Sequence, residues 1–301
     1  MKKKALWTII ILLLIEMILV GVYFTKNTSQ NQKIKTEESS SLAKSSSREI
    51  KETTTTSQVK PGEIDTTDWL TSDTDISFPI LMYHSLTVSN DGNTLKLPPE
   101  EFKEQMEWLK ENDYYTLTPE EAYIVLTENK KPKEKIVWIT LDDGYLNNYT
   151  DGFPILKQLK LNATINYITS KQDNQYYFHQ ADMEKMKQSG LISIESHTVS
   201  HLDLNTLSDE QIHTELLDSK KWLDDTLKQQ TSVICYPAGR YDDRVEKEAE
   251  LTGYKLGLTT EPGYASKNDG LFALKRIRVS PGFDKESFGN YLTSSNQYAN
   301  N

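Results

Sequence analysis

Apolar and β-branched residues gather in seven short runs: Phe78–Tyr83, Lys135–Leu141, Thr164–Ile168, Leu191–Glu195, Ser232–Tyr236, Tyr254–Thr259 and Leu274–Val279. Each has the length and residue types of a strand. Between many of them the pattern shifts to helical spacing. Phe102, Met106 and Leu109 recur three and four residues apart. Thr118-Pro-Glu-Glu121 has capping-box form with Pro at the first helical position, and Tyr123, Ile124 and Leu126 follow it. Ser208 opens an amphipathic stretch to about Gln230, and Asp242–Leu251 is another, stopped by Gly253. Strands alternating with helices imply parallel strands joined by right-handed crossovers. Seven such strands predict an α/β barrel or a strongly curved sheet.

The ends of the chain read differently. Met1-Lys-Lys-Lys4 precedes an apolar run over residues 5–24 that carries one charge, Glu16. About 20 apolar residues match a bilayer crossing, and lysines before them predict a cytoplasmic N-terminus. A cleavable signal peptide is the competing reading, but the apolar core is long and no clear small-x-small site follows. The expectation is a single-pass signal anchor at residues 5–24, with residues 1–4 cytoplasmic and the rest outside the cell; cleavage would make it a secreted protein. Residues 25–68 are rich in Ser, Thr, Lys, Glu and Gln, too polar to offset their chain entropy, and predict a disordered tether. The folded domain is placed at residues 70–295.

Composition narrows the partners. A formal net charge of −10 argues against nucleic acid and against tight attachment to anionic wall polymers, and leaves a neutral sugar chain compatible. A single cysteine, Cys235, excludes an internal disulfide. It sits among apolar residues without a clear basic neighbour and reads as a small buried residue. No protein partner is inferred.

Candidate chemistry falls at the carboxyl ends of the predicted strands, where parallel α/β folds gather their active groups. His84 follows the first run, Asp142 and Asp143 the second, His197 the fourth, and Pro237 the fifth. Asp143, His197 and His201 make a plausible three-ligand metal site, with both imidazoles on one face if His197–His201 is helical. Neutral imidazoles and a carboxylate suit Zn²⁺, with Co²⁺ or Ni²⁺ also fitting. Asp142 is left as a base beside that site, Ala238 as a backbone N–H for an oxyanion, and His84 as the acid that protonates a departing amine. His179 and His213 read as structural.

Three segments, Thr140-Leu-Asp-Asp-Gly144, His197-Thr-Val-Ser-His201 and Tyr236-Pro-Ala-Gly239, resemble in order and spacing the first three motifs of the polysaccharide deacetylase family, carbohydrate esterase family four. The resemblance covers about residues 78–290. It implies a distorted (β/α) barrel, a divalent metal on Asp143, His197 and His201, Asp142 as base, and Tyr236, Pro237, Ala238 and Gly239 along one wall of the groove. The family's third motif opens with an Arg that orients the base, and Cys235 stands there instead. Arg276 or Arg278 could supply the guanidinium from one face of a strand, and Arg276 is preferred. The family's fourth and last motifs are absent. In their place Pro79-Ile-Leu-Met-Tyr-His84 resembles the branch of biofilm poly-N-acetylglucosamine deacetylases, where an N-terminal strand carries the histidine. The resemblance implies metal-dependent removal of N-acetyl groups from GlcNAc residues of peptidoglycan or poly-N-acetylglucosamine. An O-acetyl esterase of the xylan type and a carbohydrate-binding protein without catalysis are the alternatives.

Overall fold

The computed structural model describes residues 64–295. Seven parallel strands carry the fold: β1 (Ile80–Tyr83), β2 (Ile136–Asp143), β3 (Ala163–Tyr167), β4 (Ile192–Ser196), β5 (Val233–Cys235), β6 (Leu256–Pro262) and β7 (Leu274–Arg278). They pair in the order β1-β7-β6-β5-β4-β3-β2, and β2 pairs again with β1, so the sheet closes on itself. A two-residue strand, Tyr115–Thr116, lies along the start of β2. The ring is uneven. Its β4–β5 seam is a single residue pair, Ser196 with Ile234, and β6 shifts register against β7 between Leu258 and Pro262. The parallel sheet expected from the alternating pattern is therefore present, with each strand within two residues of its predicted run except at the carboxyl end of β6, which runs three residues further.

Helices cover the outside: α1 (Pro99–Glu111), α2 (Pro119–Glu128), α3 (Phe153–Leu159), α4 (Gln180–Gln188), α5 (Asp209–Leu227), α6 (Asp243–Leu251) and α7 (Lys285–Ser295). The capping boxes at Thr118 and Ser208 form, and the Asp242 carboxylate caps α6 by accepting from the Arg244 and Val245 amides. Each cap satisfies amide donors that have no partner inside the helix.

The two faces of the strands have different tasks. Leu81, Val137, Ile139, Leu141 and Ile165 pack outward against Phe102, Met106 and Leu156 of the helices. The inward face is partly polar. The Trp138 indole donates to Thr164 Oγ1 at 2.8 Å, and Thr140 Oγ1 donates to the Leu81 carbonyl at 2.6 Å. Burying such groups is tolerable only when they are bonded, and this ladder leads along the barrel interior to Asp142.

The apolar run at residues 5–24 and most of the predicted tether lie outside the described residues. Among the described residues no helix is long and apolar enough to cross a membrane. Near the tether's predicted end, Thr67 bonds to the Asp65 carboxylate and the Trp69 amide donates to the Thr66 carbonyl, so residues 65–69 form a local turn. Short Asx-type turns of this kind are built from the same polar residues that fill tethers.

Candidate active site

Asp142 and Asp143 close β2, and both side chains serve the same end of the barrel. In a regular strand they would face opposite sides. Asp143 has φ +76°, which ends the pleat at the strand's last residue. Thr198, His201 and Ala238 are also left-handed, at φ +65°, +58° and +51°. Non-glycine residues there are strained and persist where the surroundings hold them; four of them within one site mark a built arrangement.

The histidine segment is not helical, so helical spacing is not what brings the two rings to one side. It is a loop after β4, and backbone turns at Thr198 and His201 fold it back on itself. Glu215 of α5 holds the loop, its carboxylate accepting from the Val199 and Ser200 amides at 3.0 and 2.8 Å. Thr198 Oγ1 accepts from the His201 amide. The two rings end 4.8 Å apart between centroids. His197 Nε2 and His201 Nε2 lie 3.5 and 3.6 Å from Asp143 Oδ1. Donor atoms about 2.0–2.2 Å from a tetrahedral ion are separated by about 3.3–3.6 Å, so this triad fits a divalent metal. His197 Nδ1 lies 2.6 Å from the Cys235 carbonyl, which assigns the ring proton to Nδ1 and leaves Nε2 free to ligate. Burial works against the charge on Asp143, and its contact with His197 more than offsets this, holding its carboxyl below the ordinary range.

Asp142 is buried and heavily bonded. The Arg276 guanidinium reaches it as a fork, Nη1 to Oδ1 at 2.9 Å and Nη2 to Oδ2 at 2.8 Å. Arg276 also donates to the Thr259 carbonyl, Thr140 Oγ1 and Cys235 Sγ, so all five of its N–H groups have partners. Burial would raise the Asp142 carboxyl; the Arg276 charge and bonds overrule it and hold the group well below the usual range. The arginine thus enters from β7 rather than from the position of Cys235, as preferred from the sequence. Arg278 is exposed at the strand's end. One expectation about Cys235 fails: it is buried as predicted, but Arg276 Nη2 lies 3.2 Å from its sulfur. A basic neighbour 41 residues away in the chain could not be seen locally. Asp142, His197 and Cys235 form a second cluster of potential ligand atoms, but the guanidinium already occupies the faces of Asp142 and Cys235 that an ion would need.

His84 sits just past β1, its side chain 14% exposed, with Nε2 3.8 Å from Asp142 Oδ2. Burial lowers its pKa, opposed by the charges of Asp142 and Asp143. The Asn148 amide fixes its backbone by donating to the His84 carbonyl at 2.7 Å.

The Tyr236–Gly239 wall divides. Pro237 is buried and Ala238 is exposed at the rim, followed by Gly239 at φ +66°. Gly239 must be glycine, because a Cβ there would lie 2.1 Å from Thr260 Oγ1. The Tyr236 side chain does not line the groove. It is buried with Ile234, Leu216 and Val245, stacks on Tyr241, and its amide is spent on the Leu258 carbonyl. The strand's alternation turns it outward, where Cys235 turns inward.

Some residues at the site carried no local signal. Asn166 donates to Asp142 Oδ1 at 2.8 Å. Tyr145 and Tyr177 stack 5.2 Å apart, and burial together with the nearby Asp143 charge keeps the Tyr145 phenol protonated. His213 pairs with Glu248 and His179 begins α4, both apart from the triad.

Residues 129–257 match the polysaccharide deacetylase family. The YxkH protein of Bacillus subtilis is 48% identical over 237 residues, 79% of this chain and 84% of that protein. The chain belongs to the polysaccharide deacetylase family. A poly-β-1,6-N-acetyl-D-glucosamine N-deacetylase of Staphylococcus aureus is 30% identical to this deacetylase over 206 residues, 64% of this chain and 70% of that one. A Streptococcus pyogenes deacetylase, PplD, solved with acetate, is 39% identical with a TM-score of 0.70, covering 73% of this chain and 99% of its own. The family match spans both aspartates and both histidines of the deacetylase but stops short of His84 and Arg276, the two groups that enter from β1 and β7.

Proposed function

We propose that this deacetylase hydrolyses N-acetyl groups from GlcNAc residues of an extracellular polysaccharide, with Asp142 as base, His84 as acid and a divalent metal on Asp143, His197 and His201. The observation that carries the proposal is the buried, arginine-forked Asp142 beside a triad with metal-ligand spacing. The metal, with Zn²⁺ the best match to the donor set, supplies Lewis-acid polarisation of the acetyl carbonyl and acidification of water.

Asp142 removes the proton from the water oxygen as that oxygen bonds to the acetyl carbon. Arg276 keeps the carboxylate ionised and in one plane, so it meets the water as an acceptor. The left-handed turn at Ala238 presents backbone to the rim, where its N–H serves the developing oxyanion. His84 gives its proton to the sugar nitrogen as the carbon–nitrogen bond breaks, which an amine leaving group requires. Acetate and a free amine are the products.

Two polymers stand as substrates, poly-β-1,6-N-acetylglucosamine and peptidoglycan. The activity named for the S. aureus relative supports the first. The lysine-flanked apolar run at residues 5–24 supports a membrane-anchored enzyme with its catalytic domain outside the cell.

The test is acetate release by residues 59–301 from both polymers, with chelator, with Zn²⁺ restored, and in Asp142→Asn. Metal-dependent release lost in the variant is expected. Failure on both polymers by protein that binds Zn²⁺ would overturn the assignment and turn attention to O-acetyl esters or to binding without catalysis.

A further inference from the structure

Asn166 lies on β3 directly opposite Asp142 in the parallel register. Its side chain is buried, and its Nδ2 donates to Asp142 Oδ1 at 2.8 Å. Only the NH₂ end of an amide can face a carboxylate, so the orientation is chemically determined. The other end, Oδ1, is buried with no hydrogen-bond partner.

This is a poor arrangement for stability. Asn is disfavoured in strands, and an unpartnered buried acceptor costs free energy. An apolar residue of similar size would fill the same space without that cost. A side chain that weakens the barrel while touching the base is the pattern of a group retained for function.

The bonds to Asp142 show what it does. Oδ1 accepts from both Asn166 Nδ2 and Arg276 Nη1. Oδ2 accepts one strong bond, from Arg276 Nη2; its other neighbours are the weak thiol donor Cys235 at 3.6 Å and His84 Nε2 at 3.8 Å. Two strong donors saturate Oδ1, while Oδ2 keeps acceptor capacity. We propose that Asn166 is a positioning residue that closes Oδ1 and reserves Oδ2, on the His84 side, as the oxygen that takes the proton. Arginine alone cannot make this choice, since its fork treats the two oxygens alike. The inference rests on the reading of Asp142 as base.

The experiment compares wild-type protein, Asp142→Asn, Asn166→Leu and Asn166→Ala, all with Zn²⁺, for kcat and KM on an N-acetylglucosamine oligomer. Melting temperature and Zn²⁺ affinity are measured alongside. Asn166→Leu removes the donor and the orphan acceptor together. It is expected to melt no lower than wild type, bind Zn²⁺ equally and keep KM, while kcat falls by about 10²-fold, as for other misplaced catalytic groups. Asn166→Ala adds no bulk and gives the same kcat-against-KM split if the leucine does not fit. Wild-type kcat in either folded variant, with Asp142→Asn inactive, overturns the inference and leaves the base in place. Parallel loss of kcat, Zn²⁺ binding and melting temperature in both variants assigns Asn166 a structural role and also overturns it. Activity retained by Asp142→Asn instead removes the reading underneath.

Discussion

Replacing Arg276 with Met tests the electrostatics of the site most directly. The guanidinium is fully buried and makes five bonds, two of them to Asp142. Met fills much of the volume but leaves the carboxylate buried without its counter-charge. Breaking a buried pair from one side costs about 3–5 kcal/mol. For a domain of this size that corresponds to a melting temperature lower by about 6–20 °C. The pH dependence changes sign as well. In the wild type the folded Asp142 carboxyl lies below its ordinary 3.8, so the stability it contributes is complete above that value and is lost as pH falls through the depressed one. Without Arg276, burial is the dominant influence and raises the group. Its contribution is then unfavourable and grows as pH rises above 3.8. Melting followed from pH 3 to 8 in chelator should show Arg276→Met losing most at neutral pH and recovering on mild acidification. Arg276→Lys, a point charge without the fork, should fall between them. A variant melting within about 2 °C of wild type, with an unchanged pH slope, would refute the reasoning.

Three further outcomes follow from other parts of the fold. Burial raises the Glu195 carboxyl to about 8 despite bonds from the Ser232 and Val233 amides, so stability should decline as pH rises from its ordinary 4.5 towards 8. Glu195→Gln should flatten that part of the melting profile, and an unchanged profile would remove Glu195 as its source. Gly144→Ala places a Cβ 2.2 Å from the Tyr167 ring at φ +86°, which should cost about 2–5 kcal/mol in denaturant unfolding and weaken Zn²⁺ binding through the adjacent Asp143. Tyr236→Phe removes a buried hydroxyl with no partner, so it should leave kcat and KM unchanged and raise stability by about 1 kcal/mol; a fall in kcat would return Tyr236 to the groove.

Local pattern sufficed for the strands, the capped helices and the reactive groups at strand ends. A strand's alternation, a capping box and a run such as Asp142-Asp143-Gly144 each depend on residues close in sequence. Helices α3, α4 and α7 escaped: α3 has only seven residues, and α4 buries only Met183 and Met186, too few apolar positions to show a period. Arg276 was reached from sequence only as a substitute for the family's third-motif arginine, and its fork onto Asp142 spans 134 positions and follows from barrel closure. The same closure brings Arg276 to Cys235, a contact no neighbouring residue announces. His197 and His201 converge through left-handed turns held by Glu215, not through helical spacing. Asn166 looked like any strand residue until its register set it against Asp142. Thus the residue types and their order determined the family of chemistry, because each motif is a local arrangement. Only the closed sheet decided which charges neutralise one another and which oxygen of the base remains open, because those depend on distances of a few ångströms between strands remote in the chain.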